Sequence, residues 1–332
     1  MKSLITLVAV LLCSALIQGP SPVAGSRGDG AYEFQVCLSE CLGTGCPTTS
    51  LTFFGLFPAW SCEDECKYAC MWQQEERRRK AGKPVVQYYG KWPFRRMLGI
   101  QEPFSTLFSL LNAVPHVREL LWRQDKLAPT RLNPTLRFIS ISGLFVAINT
   151  WIWSTAFHAR DTWFTERMDY HFATLHMMFY LWYAVCRLTL HLQPKQVFSV
   201  TLWSGLFLGG VFAHHVYFMN FVRFDYGWNM IITGASVVVQ FILWMVWALL
   251  TLRYPSGASP SKSRAVAKMV IKFQLSLLSF AAFEAFDFPP LFDQLDAHAI
   301  WHGLTVALGF YWYQFREADA QLLVAKQSSI SV

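Results

Sequence analysis

The stretch LRFISISGLFVAINTWIWSTAFH, residues 136–158, is an almost uninterrupted apolar run that ends in polar side chains. Its length is close to the ~20 residues that an α-helix needs to cross the hydrocarbon of a bilayer. Runs of similar length and character recur along the chain, at 98–117, 169–190, 197–217, 229–251, 266–286 and 297–315. The sequence therefore predicts an all-α membrane protein, a bundle of seven transmembrane helices.

The composition supports this prediction, since 54% of the residues are hydrophobic and only 15% are charged. The net charge of +7 is spread over the loops between the apolar runs, a distribution that sets orientation and does not suggest nucleic-acid binding. The loops after the first, third and fifth runs carry most of the lysines and arginines, and the intervening loops are balanced or acidic. Because positive loops favour the cytosol, we expect a lumenal N-terminus and a cytosolic C-terminus.

The region before the bundle has two parts. Residues 1–25 have the basic start, apolar core and small residues of a signal peptide, with a retained signal anchor as the alternative. Residues 26–97 hold six of the eight cysteines and are expected to form a small disulfide-rich lumenal domain, because the secretory lumen is oxidising. A zinc site is the alternative, and the pairing stays open. The bundle is assigned to 98–317 and a cytosolic tail to 318–332. The cysteines are Cys37, Cys41, Cys46, Cys62, Cys66 and Cys70.

Candidate catalytic side chains lie at the predicted lumenal ends of three spans. Ser154 and His158 are four residues apart and share one helical face, as do His298 and His302. Asp169 begins the third span at the same face. A histidine pair at this spacing is typical of zinc sites, and a third histidine with a water completes tetrahedral coordination. The pattern predicts a metal site of His158, His298 and His302, and the alternative is that these histidines are hydrogen-bonded structural residues.

Other polar residues of the spans are assigned weaker roles. Packing or support is expected for four histidines, and a position near the cytosolic ends for two more. Either of two acidic residues near the last loop could orient a ligand histidine, because metal-bound histidines commonly donate their other ring N–H to a carboxylate. Arg223 and Asp225 are expected to form an ion pair. The four supporting histidines are His171, His176, His214 and His215, and the two near the cytosolic ends are His116 and His191. The acidic residues are Glu284 and Asp287.

The order SxxxH, an aspartate eleven residues further on, and a late HxxxH resembles the signature of the CREST membrane hydrolase superfamily. Stretches such as Gln101-Glu-Pro103 and Arg223-Phe-Asp-Tyr-Gly227 are similar to the branch that remodels the lipid of GPI anchors. That resemblance implies a Golgi membrane enzyme that hydrolyses the sn-2 acyl ester of the glycerolipid on GPI-anchored proteins, with the endoplasmic reticulum as the alternative compartment. Its cofactor would be Zn²⁺.

The roles expected from the resemblance and from the chemistry divide the five residues. The histidines hold the zinc, Asp169 acts as the general base, and Ser154 hydrogen-bonds the water or the oxyanion. A serine nucleophile is the competing role for Ser154. A ceramidase-like amidohydrolase, or a non-enzymatic seven-span receptor or lipid-binding chaperone, are the alternative functions.

Overall fold

The computed structural model of the chain describes residues 26–45, 60–255 and 259–330, without the side chains of residues 284–285 and 326–330. The predicted signal peptide, residues 1–25, and Cys46 lie outside the described residues. Within the described ranges the regular structure is helical, and the only strand-like pairings are isolated two-residue bridges. The predicted all-α class is confirmed.

Nine helices of more than three turns organise the described chain, two before the bundle and seven within it. Short helical pieces follow α3, precede α6 and follow α6, at Gln124–Leu127, Pro194–Gln196 and Phe218–Val222. The nine are α1 (Tyr32–Thr44), α2 (Cys62–Lys80), α3 (Pro103–Trp122), α4 (Pro134–Ala159), α5 (Trp163–Leu192), α6 (Val197–Tyr217), α7 (Tyr226–Arg253), α8 (Pro260–Ala285) and α9 (Ala297–Ile330).

Four of these helical segments are long and apolar enough to cross a membrane by length and composition: 134–159, 194–222, 226–253 and 260–283. The protein is thus an all-α membrane protein. Helices α3, α5 and α9 do not reach the same apolarity, because they carry the polar side chains of the bundle interior. The count of seven spans and the domain limits stay predictions. Helix α9 continues without a break past residue 317, where the sequence places the end of the bundle.

Six helices of the bundle pack side by side in a closed ring, in the order α3, α4, α5, α7, α8 and α9, with α9 against α3 again. Helix α6 lies outside this ring against α5. The interior is filled by large buried side chains, among them Trp244, Trp247 and Phe315. Burial of such rings dominates the packing of a core. Cys186 is a free and buried thiol in the same core.

The turn between α4 and α5 fixes the end of the bundle at which the polar residues gather. Arg160 follows the last residue of α4 as its C-cap, and Thr162 precedes α5 as its N-cap in a capping box, its hydroxyl accepting from the Thr165 N–H. Such a cap satisfies N–H groups that have no partner within the helix. Because so few residues join the two helices, the last turn of α4 lies beside the first turns of α5. This end of the bundle is called the site end below.

The N-terminal domain is a pair of antiparallel helices joined by disulfides. Cys37 pairs with Cys70 and Cys41 with Cys66, so that cysteines one turn apart on α1 meet cysteines one turn apart on α2. Cys62 is also disulfide-bonded. Phe34 packs into this region, fully buried beside Val86 and Tyr88. The structure thereby supplies a disulfide pairing that the sequence left open.

The connector from α2 to α3, residues 81–102, ties this domain to the site end. Gln87 and Trp92 donate hydrogen bonds of 2.7 and 2.6 Å to the carboxylate of Asp287. Arg79 and Arg95 form ion pairs with Asp293. Both aspartates belong to the loop that leads into α9. The run of basic residues at the end of α2 therefore includes a side chain, Arg79, that holds this loop.

Candidate metal centre

Three histidine side chains converge at the site end. His158 comes from the last turn of α4, and His298 and His302 come from the first turns of α9. The Nε2 atom of His298 lies 3.3 Å from Nε2 of His158 and 2.8 Å from Nε2 of His302. The one ligand atom that each residue offers lies within 4.8 Å of the others. The spacing on α4 and α9 thus brings the predicted ligands together.

The donor set and its surroundings fit a metal ion. Among the described residues, this is the one group of three or more His, Cys, Asp or Glu side chains that could hold an ion. His158 and His302 are 3% and 6% exposed, so water cannot satisfy their ring nitrogens freely. Three imidazole nitrogens that face one point make a ligand set suited to Zn²⁺, with a fourth position left for water or substrate.

The two other predicted site residues border the triad. Ser154 lies one turn before His158 and is buried, with its hydroxyl 3.0 Å from that of Ser109 on α3. Asp169, in the second turn of α5, lies close enough to His158 and His298 to interact with both electrostatically. All five predicted residues therefore lie at one end of the bundle. Their individual roles stay predictions.

Glu102, which the sequence analysis did not assign to the site, contacts the triad directly. One carboxylate oxygen lies 2.7 Å from Nδ1 of His158, and the Glu102 N–H donates to the His158 carbonyl at 3.0 Å. The residue is 4% exposed. The predicted first span, 98–117, includes Glu102, whereas α3 begins after it at Pro103. A charged residue at the start of a predicted span was the signal that could have placed it at the site end.

Lys91 completes this group from the connector. Its ammonium lies 2.7 Å from Glu102 and 3.0 Å from Asp161, and 3.8 Å above the ring of Phe157. Burial acts to lower the pKa of Lys91, but the carboxylates of Asp161 and Glu102 outweigh it. The pKa consequently lies above its usual value, and the side chain stays charged at physiological pH.

His116 lies inside the bundle, in contact with the surroundings of the triad. The indole N–H of Trp151 donates to His116 Nε2 at 3.0 Å, and the Trp151 ring packs edge-on against His302. An indole nitrogen can only donate, so His116 Nδ1 carries the proton and donates to the Tyr313 hydroxyl at 2.6 Å. His116 does not contact the three histidines itself, because Trp151 lies between it and His302. Its predicted place near the cytosolic ends stays a prediction.

The remaining polar residues lie apart from the triad. His171 is bonded to Asn220 and packs edge-on against His215, and His176 packs against Tyr180. Asp287 accepts from the connector, and the Glu284 side chain lies outside the described residues. Arg223 and Asp225 lie 3.5 Å apart, the ion pair that the sequence favours. The Asp225 carboxylate also caps α7 by accepting from the Trp228 N–H.

The fold and site together define a class: helical membrane proteins whose bundle brings three histidines together at one end, in a group that could hold a metal ion. The profile of the Per1-like family matches residues 55–320, and the chain belongs to that family. A Danio rerio protein named "GPI-specific phospholipase A2-like PGAP3" is 34% identical over 94% of this chain and 96% of its own length. The Homo sapiens protein of the same name is 34% identical over 93% of this chain and 94% of its own length.

An insect relative also has a name that refers to GPI attachment. The Drosophila melanogaster protein "Post-GPI attachment to proteins factor 3" is 33% identical over 92% of this chain and 91% of its own length. No solved structure matches the chain significantly. The similarity to these relatives extends over nearly the whole chain and includes the N-terminal domain as well as the bundle.

Proposed function

We propose that this protein is a zinc-dependent hydrolase that removes the sn-2 acyl chain from the glycerolipid of GPI-anchored proteins. The observation that carries the chemistry is the convergence of the His158, His298 and His302 Nε2 atoms beside a carboxylate and a hydroxyl. The substrate follows from the relatives, whose printed names combine GPI specificity with phospholipase A2 likeness. The same enzyme class would remodel anchors after their attachment to protein.

Zn²⁺ bound by the three histidines would lower the pKa of a water and polarise an ester carbonyl. Asp169, beside His158 and His298, accepts the proton of the attacking water and returns it to the lyso-lipid oxygen as the ester bond breaks. Ser154 donates a hydrogen bond to the oxygen that becomes negative in the tetrahedral intermediate. Water supplies the OH of the released fatty acid and the H of the lyso-lipid hydroxyl, so the reaction is balanced.

The position of the centre suits a lipid substrate. The site end lies where α4 ends and α3, α5 and α9 begin, next to the connector from the N-terminal domain. An acyl chain can lie along the apolar bundle while the glycan stays in water. We propose the Golgi membrane as the compartment, with this end in the lumen, on the strength of the loop charges and the resemblance. Protease protection of tags at the two termini tests the orientation.

The test of the function is mass spectrometry of GPI anchors from cells that lack this protein. The cells receive wild-type protein, His298→Ala, Asp169→Asn or the control His214→Ala, whose ring is exposed and lies outside the triad. Wild type and control should restore saturated anchors, while the other two leave the unsaturated sn-2 chain. Purified Asp169→Asn should keep stoichiometric zinc and His298→Ala should lose it. Full remodelling by His298→Ala would overturn the proposal.

A further inference from the structure

The geometry around Glu102 fixes the orientation of a predicted ligand. Its carboxylate accepts from Nδ1 of His158 at 2.7 Å, while its backbone N–H binds the carbonyl of the same residue at 3.0 Å. A carboxylate only accepts, so Nδ1 of His158 carries the proton and Nε2 has its lone pair free. That lone pair faces the two other histidines. Glu102 thus holds both the ring orientation and the tautomer that metal binding needs.

The second oxygen of Glu102 is held in turn by Lys91. The ammonium bridges Glu102 Oε1 at 2.7 Å and Asp161 Oδ2 at 3.0 Å. Each carboxylate oxygen of Glu102 therefore has one charged or polar partner, one on α4 and one on the connector. Loss of Lys91 would leave a buried carboxylate with one side unsatisfied, free to rotate away from His158 or to draw in water.

The same connector reaches the other ligand helix. Gln87 and Trp92, on either side of Lys91, hold Asp287 in the loop before α9. Residues 87–102 therefore contact both chain segments that present the triad, the end of α4 and the entry to α9. Most of this segment, residues 87–97, belongs to the cysteine-rich domain in sequence, and the segment is placed to set the distance between the ligands.

We propose that Glu102 and Lys91 are positioning residues of the metal centre, Glu102 by orienting His158 and Lys91 by orienting Glu102. The inference rests on the proposed function in one respect, that the triad binds zinc. It gives the N-terminal domain a role in metal binding through its connector. The competing role is a structural ion pair that holds the connector to α3, which would affect folding stability and leave zinc affinity alone.

Zinc affinity of the full chain, purified in detergent and measured by competition with a chelator, separates these roles. Glu102→Ala should weaken zinc binding by about 10–100-fold, the range for loss of such outer partners. Glu102→Gln keeps an acceptor for Nδ1–H and should lose less. Lys91→Met should weaken binding several-fold, and Lys91→Arg should restore most of it.

Two comparisons show whether the residues act as proposed. Adding Lys91→Met to Glu102→Ala should change zinc affinity little, because Lys91 acts through Glu102. Glu76→Gln and Lys80→Met make the same substitutions in an exposed pair 3.3 Å apart on α2, and should leave the affinity unchanged. The thermal midpoint of each zinc-free variant, measured separately, reports folding stability.

The outcomes distinguish this inference from the function on which it rests. Stoichiometric zinc in wild type with unchanged affinity in Glu102→Ala and Lys91→Met would overturn the positioning role and leave the hydrolase intact. Wild-type protein without zinc would overturn both. If Glu102→Ala does not fold, Glu102→Gln and Lys91→Met carry the test. Lys91→Met is then measured in wild type and in Glu102→Gln. An equal loss of zinc affinity in both would overturn the claim that Lys91 acts through Glu102.

Discussion

The side-chain amide of Asn112 on α3 donates a 2.7 Å hydrogen bond to the backbone carbonyl of His302 on α9. The same amide donates to the Phe108 carbonyl of its own helix at 2.9 Å, and Asn112 is 2% exposed. The helix that presents two of the predicted ligands is thereby bonded to the helix that follows Glu102. The packing of α3 on α9 therefore helps to fix the position of His302 in the triad.

Replacement of Asn112 tests this bond. Asn112→Ala removes both hydrogen bonds of this buried side chain, each worth about 0.5–1.5 kcal/mol, so we expect a loss of about 1–3 kcal/mol in the free energy of unfolding. Asn149→Ala is the control, since the Asn149 amide donates to the Phe145 carbonyl of its own helix. It should stay within about 0.5 kcal/mol of wild type. Thermal unfolding in detergent measures both, and equal stabilities would contradict the assignment.

A close approach between the same two helices gives a second prediction. A Cβ placed on Gly309 would lie 2.8 Å from Cγ of Pro115, whose ring cannot rotate away, so Gly309→Ala forces α9 from α3. We expect a destabilisation of about 1–3 kcal/mol. Gly210→Ala, with nothing within 4 Å of its Cβ, should instead be neutral or stabilise by up to about 1 kcal/mol. If both variants unfold at one temperature, the close packing is not real.

The parts of this fold that sequence predicts are those with local signals. Long apolar runs gave each bundle helix, because span length and apolarity are properties of a single segment. The pairs Ser154–His158 and His298–His302 were found for the same reason, since a spacing of four places side chains on one face. Asp169 was assigned to the same face because the predicted direction of each span places the start of the third span beside the end of the second.

The residues that sequence reasoning missed have partners far away in the chain. Glu102 meets His158 across 56 residues, Ser109 meets Ser154 across 45, and Asn112 meets His302 across 190. No spacing rule connects such residues, and the three on the α3 side, Glu102, Ser109 and Asn112, lie on or just before α3. Polar residues that weaken a span as an apolar run were themselves the sign of an interior, functional face.

The loop into α9 gives a pH-dependent prediction. Burial acts to raise the pKa of Asp293, but hydrogen bonds from Arg79 and Arg95 outweigh it and lower the pKa below its usual value. A carboxylate with a lowered pKa stabilises the fold above its unfolded pKa of about 3.9, and that stability is lost as the pH falls through the folded value.

Asp293→Asn should therefore be less stable than wild type by about 1 kcal/mol at neutral pH, the upper range for partly exposed pairs. The difference should shrink below about pH 4, where the unfolded carboxyl takes up a proton first, and it should vanish only below the lowered pKa of the folded state. Asp125→Asn, on an exposed side chain elsewhere, is the control. Unfolding midpoints across pH 3–8 provide the measurement. A difference that grows towards low pH would show that the ion pairs are not the source.

The hydroxyl of Ser154 separates two mechanisms. It lies 3.0 Å from the Ser109 hydroxyl. His158, one turn further along the helix, cannot act as the base for this hydroxyl if it holds the metal. As a donor to the oxyanion, Ser154→Ala should lower turnover by about 100-fold and keep zinc content, with a smaller loss for Ser109→Ala. Thr155→Val is the control, because the Thr155 hydroxyl donates to Trp151 in its own helix. Mass spectrometry during turnover should find no acyl group on Ser154. A trapped acyl-serine would establish the nucleophilic role instead and reassign Asp169 to a different step.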